Sequence, residues 1–400
     1  MKLDDLLIDV GTCYLHPGYR YTTYPLAKMV DMKIRYLETA DVITDKETVG
    51  LNSFVEKLKL FFSILKFMNL SLTASFLHNT PFAKKYAVSM EEYLKSHKID
   101  SLLHSFVMSA GGVGQGYGFF DEVSADHLFQ WLRPLIFLNI VKTKFRRGVA
   151  MIEGGWGTLF TKLLAYFHYI PEKITEVLPI YSSQTHTQQV RVLTESGEER
   201  YFDTVFVACP LDHLRSPATP LINPYTITYT PLFAALWKSD LPPFFRHRAY
   251  YTSLIEKKVK NQLVTLRLCG KTSAGEYVYV GMGYTTPEED EQALRKQIEE
   301  ALANKIGLPA KSIEYFKIYT YNRRFTKQAI LEKIPLQVEQ MQGVGRIWYS
   351  EGLLSHWDVN SIHYFSRRIV RRFAYLEEEP SLGHLIRYKM QSWMDVLKQL

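Results

Sequence analysis

Gly343-Val-Gly-Arg-Ile-Trp-Tyr-Ser-Glu-Gly-Leu-Leu-Ser-His-Trp-Asp-Val-Asn-Ser-Ile-His-Tyr-Phe-Ser-Arg-Arg-Ile-Val-Arg-Arg-Phe373 is the stretch that decides the fold of this chain. Arg346 to Tyr349 is short and mostly apolar, the pattern of a buried strand. Gly352 lets the backbone turn where a side chain would obstruct it. Asp358 can cap a helix that carries Ile362, Phe365, Ile369 and Phe373 on one side, and the open N–H groups at such a helix start favour negative charge. A strand, a glycine turn and a capped helix in this order form a cradle for an anionic ligand.

Upstream, Leu6 to Val10 reads as a strand that runs into Gly11 and a tyrosine-rich loop with Pro17, Gly18 and Pro25. From Asn52 to about Leu138 apolar residues recur at helical spacing, with Phe54, Leu58, Phe61, Phe62 and Leu65 as the first set. Gly111 to Gly118 interrupts this helical region. Glu153-Gly-Gly-Trp-Gly157 opens a further helix with Leu159, Leu163, Leu164 and Phe167 on one side, and Pro171 ends it. Strands come next at Ile174 to Ile180, Gln189 to Leu193 and Asp203 to Ala208, with Ser196-Gly197 as a hairpin turn. Prolines 210, 217, 220, 224 and 231 mark a crossover into a second region, with strands at Thr226 to Tyr229, Leu263 to Leu268, Tyr277 to Met282 and Ser312 to Tyr321. Between the last two, Thr286-Pro-Glu-Glu289 has the form of a capping box opening a helix that Gly307 closes. A final amphipathic helix is expected near Leu385 to Leu397.

The 400 residues are 46% apolar, 22% charged and 14% aromatic, enough for a large core and unlike a disordered or low-complexity chain. The formal charge of +7 suits an anionic cofactor or substrate. No dense Lys/Arg tract accompanies it, so nucleic acid is not indicated. Cys13, Cys209 and Cys269 lie too far apart for a CxxC metal pair or a disulfide framework, which points to a reducing compartment. Acidic residues within Met1 to Asp9 argue against a signal peptide, and the chain is expected in the cytoplasm. Lys59, Lys66 and Asn69 break the apolar run from Leu58 to Leu77, which leaves a packed helix or a membrane-facing one rather than a span. Twelve histidines form no HExxH or paired-ligand cluster, so no metal site is expected. No GxSxG elbow or kinase signature is present.

Gly154-Gly155 with Leu159, Glu176-Val-Leu-Pro-Ile180, Phe202-Asp-Thr-Val-Phe-Val-Ala-Cys-Pro210, Tyr319-Thr-Tyr-Asn-Arg-Arg-Phe325, Gln342-Gly343 and the tail segment occur in an order that resembles the flavin-dependent amine oxidase superfamily. They resemble in particular its branch containing β-cyclopiazonate dehydrogenase-like oxidoreductases. The resemblance covers most of the chain and implies an α/β fold: an incomplete Rossmann-like FAD-binding domain interleaved with an α+β substrate domain and a helical insert. Residues 1–50, 145–215 and 335–378 would form the FAD-binding domain. Residues 51–144 would form the helical part of the substrate domain, 216–334 its sheet part and 379–400 a C-terminal helix. By the same resemblance, Gly11, Val177, Ala208, Pro210, Glu351, Gly352, Val359 and Asn360 would contact FAD. The helix start would aim N–H donors at the flavin ring, an interaction of about 0.3–1 kcal/mol.

Two departures from the family pattern stand out. Ser350-Glu351-Gly352 replaces the usual Gly-Glu or Gly-Ser, displacing the turn by a residue. The strand, GxGxxG loop, helix, glutamate and Gly-Gly-Arg turn that open the family do not precede Leu6. Gly111 to Gly118 cannot supply the loop, because Tyr117 or Phe119 falls where the third glycine belongs. It reads as a hinge. Since the first strand is central in a doubly wound sheet, its absence admits three readings: a fragment of a longer gene, a second chain supplying the unit, or a relative that has lost stable FAD binding.

The expected activity is dehydrogenation of a C–N or C–C bond in a small, partly apolar substrate by hydride transfer to flavin. The alternative is a non-catalytic relative that acts by binding or assembly. No catalytic residue is assigned, and Lys238 does not match a catalytic-lysine pattern. Tyr319, Tyr321 and Phe325 can line a substrate pocket or simply fill a buried strand. Arg367, Arg368, Arg371 and Arg372 form a solvated helix face or contact phosphate or acidic lipid. Peripheral contact with a membrane is a further expectation.

Overall fold

The computed structural model describes residues 2–11, 15, 17–37, 41–43, 54–78, 80–99, 116–133, 149–182, 187–245, 247–356 and 359–377. Its largest element is a six-stranded sheet. In sheet order the strands are β14 (Ser312–Phe325), β10 (Ile227–Ser239), β13 (Tyr277–Tyr284), β12 (Gln262–Lys271), β11 (Arg248–Tyr251) and β4 (Asp41–Ile43). Neighbours are antiparallel except β11 and β4, which are parallel. Five of the strands come from one continuous stretch, and β4 joins them from near the start of the chain.

Alternation along β10 sends neighbouring side chains to opposite faces. Phe233, Ala235 and Trp237 pack with Leu294 and Ile298 of helix α6 (Glu291–Ala301), while Leu232 packs with the helices of the other layer. Those helices are α2 (Phe54–Leu77), α3 (Met90–Ser96) and α4 (Ala125–Trp131), joined around Phe67, Tyr93, Phe120 and Phe129. Ser89 and Glu92 close a reciprocal capping box at α3, and Ser124 caps α4 through the His127 N–H.

A second core lies beneath a three-stranded antiparallel sheet, β6 (Ile174–Ser182), β7 (Thr187–Thr194) and β8 (Glu199–Phe202). It joins Val177, Val190 and Val192 to the short parallel pair β9 (Val205–Val207) and β15 (Ile347–Tyr349), and to Phe365 and Ile369 of helix α8 (Val359–Glu377). A third cluster packs Leu15, Tyr19 and helix α1 (Thr23–Met29) against Ala150 and Ile152 of β5 (Val149–Ile152) and Trp156 and Leu159 of helix α5 (Gly155–Leu164). β5 pairs with β3 (Ile34–Leu37).

Several boundaries differ from the sequence expectation for physical reasons. The strand expected at Leu6 to Val10 is only β2 (Leu6–Leu7), in a small hairpin with β1 (Lys2–Leu3), because Asp9 leaves the ladder to cap α5. β10 runs far beyond Tyr229 and accommodates Pro231 next to a register shift against β14 at Thr228/Thr230, where a missing N–H is tolerated. α6 is capped by Asp290, which accepts from Ala293 N–H at 2.6 Å. Thr286 is therefore not its cap, and Glu289 instead accepts from Asn261 Nδ2. Gly307, with φ of 73°, ends the helical segment as expected. α5 stops at Leu164, and Leu164 and Phe167 stand exposed rather than on its packed side. Gly197 makes the β7–β8 turn as read from the sequence. Asp358, residues 111–115 of the glycine-rich break, and Leu385 to Leu397 lie outside the described residues.

Gly283 shows how tightly β12 and β13 approach: a Cβ there would stand 2.0 Å from the Gln262 carbonyl oxygen and 2.6 Å from the Phe233 ring. Gly157, within α5, has open space at the same position. Gly283→Ala is therefore expected to cost about 1–3 kcal/mol or more by overpacking. Gly157→Ala is expected to gain about 0.5–1 kcal/mol of helix propensity. Urea unfolding of both variants checks the pair.

Candidate active site

β9 and β15 run side by side in the same direction, with Ile347, Trp348 and Tyr349 opposite Val205, Phe206 and Val207, and the Ser350 N–H continues the ladder to the Val207 carbonyl at 2.7 Å. Their carboxyl ends bring Ala208 and Pro210 beside Glu351 and Gly352, the end of a parallel pair where α/β proteins bind ligands. Four of the eight residues expected to contact a cofactor thus gather at one point.

An ion-pair clamp holds that point together. Glu351, 2% exposed, accepts from the Leu211 N–H at 3.4 Å and from Arg323 Nη1 at 3.1 Å, while Arg323 Nη2 donates to Asp212 at 2.6 Å. The loop after β9, the turn after β15 and the end of β14 are fastened to one guanidinium. Burial pushes the Glu351 carboxyl up to about 7, and the charge of Arg323 opposes that rise. Both Glu351 oxygens therefore have protein donors.

The chain then enters the interior. His356 is fully buried, stacked on His127 at 4.5 Å between ring centroids and on Trp131 at 6.0 Å, with Tyr117 edge-on at 4.3 Å. Neither ring nitrogen of His356 has a hydrogen-bond partner. The Asn322 amide donates to the Tyr117 carbonyl at 2.7 Å, which leaves its oxygen to accept from His127 Nε2 at 2.9 Å. Asn322 holds this geometry with a left-handed backbone, φ 51°. Burial lowers His127 to about 3 and His356 well below the ordinary histidine value, so both rings are neutral near pH 7. Nearby, Arg324 donates to Thr230 Oγ1 at 2.8 Å, and burial lowers its guanidinium to about 10.

Beyond this loop α8 begins at Val359, which packs against the cluster holding Leu15 and Trp156. The Trp156 N–H donates to the Asp9 carboxylate at 2.8 Å, and Arg267 donates to the Asp9 carbonyl. Gly11 comes two residues later, exposed, with no atom within 4 Å of where a Cβ would stand. Asp9 and Gly154 line two adjoining clefts. One, of about 250 Å³, is also lined by Arg35, Glu153, Arg267 and Cys269; the other, of about 300 Å³, by Lys2, Thr158 and Lys162.

The remaining expected residues are placed differently. Val177 is buried with Val207 and Ile347, and its N–H is already donated to the Arg215 carbonyl at 2.8 Å. The side chain of Asn360 is outside the described set. Lys238 pairs with Asp4 at 2.7 Å, and Arg368 and Arg372 both reach Glu339, so these two arginines fasten α8 to helix α7 (Ile334–Gln340). Tyr321 joins the aromatic cluster of α2–α4. Asp9, His127, Asn322, Arg323 and His356 were not singled out in the sequence. Asn322, Arg323 and His356 stood inside quoted motifs, but a single histidine carries no spacing signal. Among the described residues no group of three or more metal-ligating side chains occurs.

Arg323→Met strands the buried Glu351 carboxylate and is expected to cost about 3 kcal/mol near pH 8, and less near pH 5.5, where Glu351 takes up a proton. Chemical denaturation at the two pH values tests this. His356→Phe keeps the stacking and removes two unpaired nitrogens. The wild-type histidine, whose folded pKa is depressed, lends stability above pH 6.5 that is lost on acidification at up to about 1.4 kcal/mol per pH unit. The variant is expected to keep its melting temperature at pH 7 and to lose less stability than wild type between pH 7 and pH 5.

No family model and no curated protein sequence matches the chain. Solved structures do. The CLA-producing fatty acid isomerase from P. acnes superimposes with a TM-score of 0.75 at 15% identity, over 93% of this chain and 88% of that one. A triple mutant from a redesign of cofactor binding in putrescine oxidase gives 0.66 at 12%, over 94% and 90%. Wild-type putrescine oxidase bound to putrescine gives 0.64 at 12%, over 92% and 88%. The chain therefore has the fold of these proteins, in keeping with the amine oxidase-like architecture expected from its motifs.

Proposed function

We propose that the chain is an FAD-dependent oxidoreductase that dehydrogenates a C–N or C–C bond of a small, partly apolar substrate. The observation that carries this reading is the course of the chain from Glu351 to Val359. It leaves the carboxyl ends of two parallel strands, passes a buried histidine with two unpartnered nitrogens, and returns against the wall that includes Trp156. Open space at Gly11 and the unpaired nitrogens of His356 fit a flat, hydrogen-bonding ring. The fold shared with an oxidase of an amine agrees with this.

In this proposal Gly11 lies against the flavin ring, and the first N–H groups of α8, at Val359 and Asn360, face its electron-rich edge. Gly352, Ala208 and Pro210 flank the cofactor as the family resemblance implies, with Val177 in the core beneath them. The arginine and lysine residues of the clefts bring positive charge to a diphosphate. Bound flavin supplies a hydride acceptor. The protein supplies order and dryness: Tyr117, Trp131 and Tyr321 pack as an apolar cluster, and burial keeps the rings of His127 and His356 neutral beside it. The Glu351 clamp fixes the turn on which this geometry rests.

Purified chain is expected to carry flavin absorption near one equivalent, or to take up added FAD in a fluorescence titration. Gly11→Leu should weaken that uptake at least tenfold while leaving the melting temperature unchanged, since nothing in the protein occupies the space the side chain enters. A folded, colourless protein indifferent to added FAD would falsify the proposal.

A further inference from the structure

Helix α2 is apolar around most of its circumference, the character of a helix buried on every side, yet much of its first half is exposed. Phe54, Val55, Leu58, Phe61, Phe62 and Leu65 are between 44% and 79% exposed. At 3.6 residues per turn these six positions form one stripe. The opposite side holds Leu60, Ile64, Phe67 and Ala74, which pack into the aromatic cluster with Phe129. The two sides are separated by lysines: Lys57 borders the stripe on one edge, and Lys59 and Lys66 border it on the other, all exposed.

We propose that this stripe docks on an anionic phospholipid bilayer, with α2 lying in the plane of the interface. The charge pattern selects this occupant. The helix sequence holds three lysines and one acidic residue, Glu56, so its fringe is basic. A second copy pairing stripe to stripe would bring like charges together, whereas lysines flanking an apolar face place their amines at phosphate level while the aromatic side chains enter the acyl boundary. Among the described residues no helix is long and apolar enough to cross a membrane, so the contact is superficial. The inference does not depend on flavin, and vesicle binding is read without any cofactor.

The test is sedimentation of the full chain with vesicles of phosphatidylcholine alone and of phosphatidylcholine with about one quarter phosphatidylglycerol. Binding is expected to the anionic vesicles. Phe61→Glu with Phe62→Glu should lower it at least tenfold without changing the melting temperature. Lys57→Glu with Lys59→Glu and Lys66→Glu should abolish the preference for anionic lipid, each lysine contributing about fivefold. Hydrogen exchange on the wild-type chain should slow at residues 54–66 when vesicles are added, a readout that needs no variant. Absence of binding to anionic vesicles, unchanged binding by the phenylalanine variant, or protection of this segment through self-association without lipid would overturn the proposal.

Discussion

A single guanidinium organises the junction of this molecule. Arg323 pairs with Glu351 and Asp212 at once, and for Glu351, which is buried, an unpaired carboxylate would be costly. The three groups come from the end of the long sheet strand, the turn after the short tail strand and the loop after its parallel neighbour. Their attraction ties the six-stranded sheet to the second core. The raised pKa of Glu351 shows the tension in the arrangement: burial favours the neutral acid, and the arginine next to it favours the anion. Both needs are met in a geometry with a hydrogen bond to each oxygen, which makes the adjoining turn a fixed point from which the chain can enter the interior.

Past that fixed point the chain is shaped by exclusion of water. His356 sits among His127, Tyr117 and Trp131, and the same burial that makes stacking favourable keeps the two imidazoles neutral. Asn322, turned by its left-handed backbone, settles which nitrogen of His127 carries the hydrogen. Each of these constraints is local, yet they link the helical layer, the sheet and the tail into one unit.

The sequence showed the tail well, because a short apolar run, a glycine and an amphipathic periodicity are local signals. It showed the meander around Ser196-Gly197 for the same reason. It did not show the clamp, since residues 212, 323 and 351 meet only in three dimensions and no spacing relates them. Asp9 was read as part of a strand because its neighbours are apolar, whereas the bond to the Trp156 N–H removes it from that role. Asp290 replaced Thr286 as a cap because both lie in one polar run and only the turn geometry chooses between them. The stripe on α2 was visible as periodicity, but periodicity cannot say whether a face is covered. Val177, Ala208, Pro210 and Gly352 came from family likeness and fall where the two parallel strands and their core meet.

The carboxylate of Asp9 also has an effect beyond its own bond. By occupying the start of α5 it places an acidic side chain on the wall shared by both clefts, which basic side chains also line: Arg35 and Arg267 in one, Lys2 and Lys162 in the other. The Trp156 N–H at that helix start is thereby taken by the protein's own carboxylate and is not offered to a guest in either cleft.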